Sequence, residues 1–142
     1  YYQSLLLQDL RGFNLSPGRV ESLALAATTA VTSMHASAII LVTRSGKTAE
    51  ICAQYRPPVP IVALCTSRRV ARHLHLYRGV LPIYFKGVAT DGMDAVEELQ
   101  GRGIEIGKNR GFVSKGDPVV LITSWPNERL EIHSMMQIVF AP

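Results

Sequence analysis

Thr43, Arg44, Ser45, Gly46, Lys47 and Thr48 form an unbroken run between the apolar residues 38–42 and a helix-like pattern. Hydroxyls, cations and a glycine in that order suit a phosphate. The first turn of a helix leaves backbone N–H groups without intrahelical partners, and the helix dipole favours negative charge there. Three hydroxyl side chains add donors, Gly46 lets the backbone approach an anion closely, and Arg44 and Lys47 offer charge-assisted hydrogen bonds to phosphate oxygens. A capped helix start with solvated charges would carry the same residues, so both readings stay open from the motif alone. A nucleotide loop does not fit. That motif needs a glycine five positions before Gly46, where Leu41 stands inside the apolar run, so the loop is too short to wrap a triphosphate. A single phosphate group is the more economical ligand.

Other chemistry-bearing residues have less support. Arg68, Arg69 and Arg72 share neighbouring helical positions and read as a solvated or subunit-facing surface. His73 and His75, two apart on a helix, point to different sides and do not share a metal. His35 and His133 have no partners in sequence, Asp117 reads as a turn residue before a strand, and Glu97 and Glu98 read as polar helix surface. Cys52 and Cys65 are too few and too far apart for a zinc site or a disulfide framework, and read as buried thiols. Trp125 is the single tryptophan. It reads as a loop residue, placed either against a ligand or partner or beneath its own hairpin.

The 142 residues are enough for one domain with a substantial core. With 47% apolar and 18% charged residues, the chain has the composition of a folded protein. Its net charge of +4 suits a small anionic ligand and is too small and scattered to argue for nucleic acid. No apolar run approaches the roughly 20 residues of a membrane span, and no basic-then-apolar signal pattern opens the chain. A cytoplasmic protein without membrane or nucleic-acid partners is expected. The chain opens on Tyr1 within an already helical pattern (Tyr2, Leu5, Leu6, Leu10), so a piece of something longer is also expected.

The elements that must position the 43–48 run follow from periodicity. Residues 2–11 read as a first helix stopped by Gly12, and a second begins at Ser16 and Pro17, with Val20, Leu23, Ala24, Ala27, Val31 and Met34 on one face. Residues 38–42, 59–64, 80–85 and 119–123 read as strands covered on both faces, and residues 47–55, 68–76 and 92–99 as the helices between them. Gly101 and Gly103 obscure the end of the last helix. A final strand over 136–140 is expected as an antiparallel hairpin partner. The expected fold is an α/β three-layer sandwich: a five-stranded, mostly parallel sheet with one antiparallel C-terminal edge strand and helices on both faces. It forms a single domain over 1–142, with a helical pair in 1–35 and the sheet in 36–142. Ligands in such folds sit beyond the C-terminal ends of the parallel strands. Residues 43–48, the segment Thr66, Ser67 and Arg68, and the Trp125 hairpin can therefore converge on one anion.

Thr43 to Ala49, then Gln54-Tyr55-Arg56-Pro57, Pro60 to Ala63, Ala71 to Val80 with its Leu76-Tyr77-Arg78-Gly79-Val80 block, and Lys115-Gly116-Asp117 resemble the C-terminal domain of a eukaryotic pyruvate kinase. The resemblance spans essentially the whole chain. It implies a regulatory and subunit-interface domain of a homotetrameric glycolytic enzyme that makes pyruvate and ATP from phosphoenolpyruvate and ADP. The catalytic barrel, with its Mg²⁺ and K⁺, lies outside the chain. The resemblance thus implies no catalytic residue, metal or cofactor here, and no activity for this piece alone. It implies that Thr43, Arg44, Ser45, Gly46, Lys47 and Thr48 hold the 6-phosphate of the activator fructose 1,6-bisphosphate. The closing loop of that site would be Ser124, Trp125, Pro126, Asn127, Glu128 and Arg129. This sequence departs from the family there: Met93 stands at the place of a ligand-contacting Trp, and residues 126–131 hold two carboxylates and no glycine. The alternative role is an interaction module that holds the tetramer together around a non-functional pocket.

Overall fold

Five short β-branched runs form one sheet in the order β3-β2-β1-β4-β5, where β1 is Ile39–Thr43, β2 Ile61–Cys65, β3 Val80–Tyr84, β4 Pro118–Pro126 and β5 Ile132–Phe140. The first four strands are parallel and β5 is antiparallel to β4 at the edge. The computed structural model describes residues 19–85, 93–126 and 132–142. Four helices accompany the strands: α1 (Arg19–Met34), α2 (Lys47–Gln54), α3 (Arg68–Leu74) and α4 (Met93–Asn109). The helix expected over 2–11, and the Ser16-Pro17 start of the next, lie outside the described residues.

The layers follow from the hand of the crossovers. From β1 through β2 to β3 the chain steps one way across the sheet, then β3 to β4 steps back past β1. One hand for every parallel crossover requires α2 and α3 on one face and α4 on the other. Packing agrees: Ile39, Leu41, Ile61 and Ala63 cluster with α1, α2 and α3 through Val31, Cys52 and Leu74. On the reverse face Ile40, Val42, Val62 and Leu64 cluster with Leu99 of α4 and with Val113. All five residues of β1 and of β2 are buried, which is why both read as unbroken apolar runs. Pro82, with no N–H to donate, stands on edge strand β3.

Three expectations are corrected. Helix α4 continues through Gly101, Gly103 and Gly107 and ends at a later signal: Gly111 adopts φ +79°, and Phe112 N–H donates to Gly107 C=O at 2.8 Å. That is a left-handed helix stop. Gly103 serves close approach, since a Cβ there would stand 2.5 Å from Ile40 Cγ2 and 2.9 Å from Leu64 Cδ1. Strands β4 and β5 are also longer than expected, because their pairing runs on to Pro126↔Ile132. Met34 is exposed on the last turn of α1, where His35 takes a left-handed φ of 53° and Ala36 N–H closes back on Val31 C=O at 3.1 Å.

Asp117 ties the start of β4 to its surroundings. Its Oδ2 accepts from Ser37 Oγ at 2.7 Å and from Ser114 N–H at 2.9 Å. These two hydrogen bonds, Ser37 first, hold its carboxyl below the usual carboxylate range.

Two measurements check this account. Gly103→Ala should lower stability by about 1–3 kcal/mol in denaturant unfolding through overpacking. Gly101→Ala, with nothing within 4 Å of the added Cβ, should raise it by about 0.5–1 kcal/mol. For Asp117, a depressed folded-state value means stability present above the unfolded carboxyl value of about 3.9 and lost as pH falls through the folded one. The melting-temperature gap between the protein and Asp117→Asn should therefore be widest near neutrality and close below about pH 4. A gap that persists unchanged at pH 2 would refute the assignment.

Candidate functional site

Strand β1 delivers residues 43–48 to the C-terminal edge of the sheet at the point where strand order reverses, between β1 and β4. Open α/β sheets have a natural crevice there, because the loops from the two central strands leave in different directions. Thr43 is paired with Cys65 on one side and Ser124 on the other. The run therefore begins between the ends of β2 and β4.

Within the run, local hydrogen bonds set the turn. Thr43 is 1% exposed, and its Oγ1 accepts from Gly46 N–H at 3.0 Å. Gly46 takes φ +83° as the N-cap of α2, a conformation that costs a residue with a Cβ about 1–2 kcal/mol. A Cβ there would also stand 2.8 Å from Val70 Cγ1, so the loop leans directly on α3. No side chain caps α2. Ser45 Oγ makes only a long 3.4 Å contact with Lys47 N–H. Thr48 is 3% exposed, and among the described residues its hydroxyl has no hydrogen-bond partner. Arg44, Ser45 and Lys47 face solvent, and no carboxylate among the described residues pairs with Arg44 or Lys47. All six residues thus occupy one turn that presents donors and cations and no acid of its own.

A cleft of about 720 Å³ opens beside this turn, lined by Arg44, Ser45, Glu50, Thr66, Ser67, Arg69, Val70 and His73. Glu50 Oε1 and His73 Nε2 stand 2.7 Å apart across it, joining α2 to α3. Ser67 caps α3 through Val70 N–H. Sequence reading brought Thr66 and Ser67 to this edge but left Arg69 and His73 on an unassigned surface. The 23-residue separation of Glu50 and His73 carries no local signal; only the side-by-side packing of successive crossover helices pairs them. A second cavity, of about 650 Å³, lies at the opposite edge near the starts of β2 and β3, between Gln54, Arg56, Tyr77 and Gly79. It is remote from the 43–48 turn.

Ser124, Trp125 and Pro126, expected in a loop, belong to β4 and pair with Ser134, His133 and Ile132. Continued ladder pairing holds them in extended backbone, and Pro126 takes the last position, where a missing N–H costs least. Asn127, Glu128 and Arg129 lie outside the described residues. Cys52 and Cys65 are free and buried, and burial pushes their thiols up to about 12 and about 11. Neither is a thiolate nucleophile at neutral pH. Among the described residues, no three His, Cys, Asp or Glu side chains gather as a metal site requires. Also among them, no helix is long and apolar enough to cross a membrane.

The family model described as "Pyruvate kinase, alpha/beta domain" matches residues 21–139. The chain belongs to the pyruvate kinase family. It is the C-terminal alpha/beta domain of that family, as the resemblance of its motifs implied. Rat pyruvate kinase PKLR is 35% identical over 129 residues, covering 88% of this chain and 22% of its own length. Pyruvate kinase 1 of Saccharomyces cerevisiae is 40% identical over 116 residues, or 80% of this chain and 23% of the relative. The pyruvate kinase of Trypanoplasma borreli is 32% identical over 116 residues, with 82% and 23% coverage. The chain thus spans 22–23% of the length of these curated relatives.

In this pyruvate kinase domain, Gly46→Ala should disturb the turn from two sides, backbone strain and collision with Val70. We expect a stability loss of about 1–3 kcal/mol in denaturant unfolding. Proteolytic nicking within 43–48 should rise with it. A variant as stable and as resistant as the parent would show that the turn does not depend on the left-handed glycine.

Proposed function

We propose that this domain binds a phosphorylated activator, a sugar bisphosphate such as fructose 1,6-bisphosphate, at Thr43, Arg44, Ser45, Gly46, Lys47 and Thr48. One observation carries the reading: a helix start without a side-chain cap at the reversal point of the sheet, beside a buried Thr48 hydroxyl without a partner among the described residues. Free backbone donors, a hydroxyl and two unpaired cations are what a phosphate dianion needs. Closure by Ser124 to Arg129 is part of the same proposal, supported by the pairing of Thr43 with Ser124.

Family membership supports a wider role. In the whole enzyme, phosphoenolpyruvate and ADP would yield pyruvate and ATP on a separate catalytic domain, the partner of this one. Mg²⁺ and K⁺ would serve there. This piece alone would be inactive. Coupling is by linkage: an effector that binds one state of a homotetramer better shifts it toward that state, by no more than the difference in affinity. A cytoplasmic protein without nucleic-acid or membrane partners fits that role.

The second reading, an interaction module with a silent pocket, draws on edge strand β5, which leaves Ile138 41% and Phe140 63% exposed. Calorimetric titration separates the two. Fructose 1,6-bisphosphate should release or absorb heat on binding the protein, and Thr48→Ala should bind about tenfold more weakly, the loss of one hydrogen bond to a charged group. No heat from either protein would sink the effector role and leave the interaction module.

A further inference from the structure

We propose that Gln100 is a positioning residue for the candidate site: from α4, on the face of the sheet away from α2, it fixes the end of the β4–β5 ribbon beside the 43–48 turn. The inference rests on the effector reading above and deepens it. The ribbon outruns the sheet. Strand β1 ends at Thr43, which pairs with Ser124, so the pairs Trp125↔His133 and Pro126↔Ile132 have no β1 neighbour. At roughly 3.4 Å per residue, the two strands run about 7 Å past the end of β1, at the place where the chain leaves β1 for the turn. A two-stranded ribbon is marginal by itself. Whatever sets its direction must act at its base.

Gln100 acts there. Its Nε2 donates to Thr123 Oγ1 at 2.8 Å and, over a longer 3.5 Å, to Gln137 Oε1. Thr123 stands one residue before Ser124, the last β4 position paired with β1, and Gln137 stands on β5 opposite Leu121. One side chain thus bridges both strands just below the end that β1 does not support. Among the described residues, no other side-chain hydrogen bond joins α4 to either strand; that of Lys108 goes to the Pro142 carbonyl, beyond β5.

Burial makes the bridge selective. Gln100 is 8% and Thr123 5% exposed, beside an apolar cluster that holds Leu99, Val119 and Leu121. Apolar contacts are non-directional and would hold α4 against the strands without fixing its place along them, whereas a buried amide is costly unless it meets its partner. The amide therefore ties the helix to one hydroxyl. Removing either partner leaves the other buried and unsatisfied, so the ribbon end gains nothing by staying in its register.

Hydrogen exchange at the amides of residues 124–125 and 132–134, with calorimetric titration of fructose 1,6-bisphosphate alongside, tests this on the parent protein, Gln100→Leu, Thr123→Val and Thr123→Ser. Gln100→Leu and Thr123→Val should each speed exchange at the ribbon end about tenfold, as loss of one buried hydrogen bond does, and leave the amides of β2 unchanged. Both should weaken the bisphosphate by about threefold or more, since only molecules with the ribbon in place are competent to bind. Thr123→Ser keeps the hydroxyl and should exchange and bind as the parent does. The double variant Gln100→Leu, Thr123→Val should be no worse than either single one. Parental exchange at the ribbon end in Gln100→Leu, or exchange raised equally in β2, would overturn the positioning role. Faster exchange with parental bisphosphate affinity would confine Gln100 to the fold and overturn its part in the site. A parent that binds no bisphosphate, while the ribbon end responds as expected, would overturn the effector reading and leave the hold of Gln100 on the ribbon standing.

Discussion

Strand β1 is buried at all five residues, and the rest of the domain answers to that. A strand with neighbours on both sides and apolar packing on both faces can be approached only at its ends. Covering its two faces takes helices above and below the sheet, and one crossover hand decides which helices go where. Its backbone groups are consumed by β2 and β4, so the first free donors appear where the chain leaves at Thr43. The turn at residues 43–48 is thus a by-product of central burial, placed at the reversal point by the same connectivity that fills the core.

Close approach is the second constraint. Gly103 lets α4 settle onto Ile40 and Leu64, and Gly46 lets the β1–α2 turn settle onto Val70. Both glycines remove a side chain where backbone meets a packed apolar surface, on opposite faces of one sheet. Interior glycines cost helix α4 about 1 kcal/mol each in helix propensity; Gly103 and Gly107 permit close contact with Ile40, Leu64 and Val113, whereas Gly101 has open space beside it. On the other face, the contact of Gly46 with Val70 sets the 43–48 turn beside the cleft between α2 and α3.

Much of the architecture was legible because burial on two faces writes itself as continuous apolar runs. Residues 38–42, 59–64 and 80–85 anticipated β1 to β3 to within about two residues, and the antiparallel edge followed from a short connection. The errors have physical causes. Gly101 and Gly103 obscured the helix end, since a local pattern cannot distinguish a glycine that ends a helix from one that lets it lie close to a sheet. Ser124 to Pro126 looked like a loop because polar and proline residues disfavour strands locally, while ladder pairing across a hairpin is decided by the partner strand. Met34 kept helical phase with the core yet lies at the end of α1, beyond the layer it would have packed on.

The sequence by itself determined the element types, the mostly parallel sheet, the phosphate-suited turn at residues 43–48 and the family. These depend on local periodicity and on contiguous residues, and both survive in one dimension. Only the tertiary structure decided that Glu50 meets His73, that Arg44 and Arg69 share a cleft, and that Gly46 and Gly103 are contact points and not only flexible links. Those relations join residues from different crossover units. They exist only once the sheet has ordered its strands and brought α2 and α3 side by side.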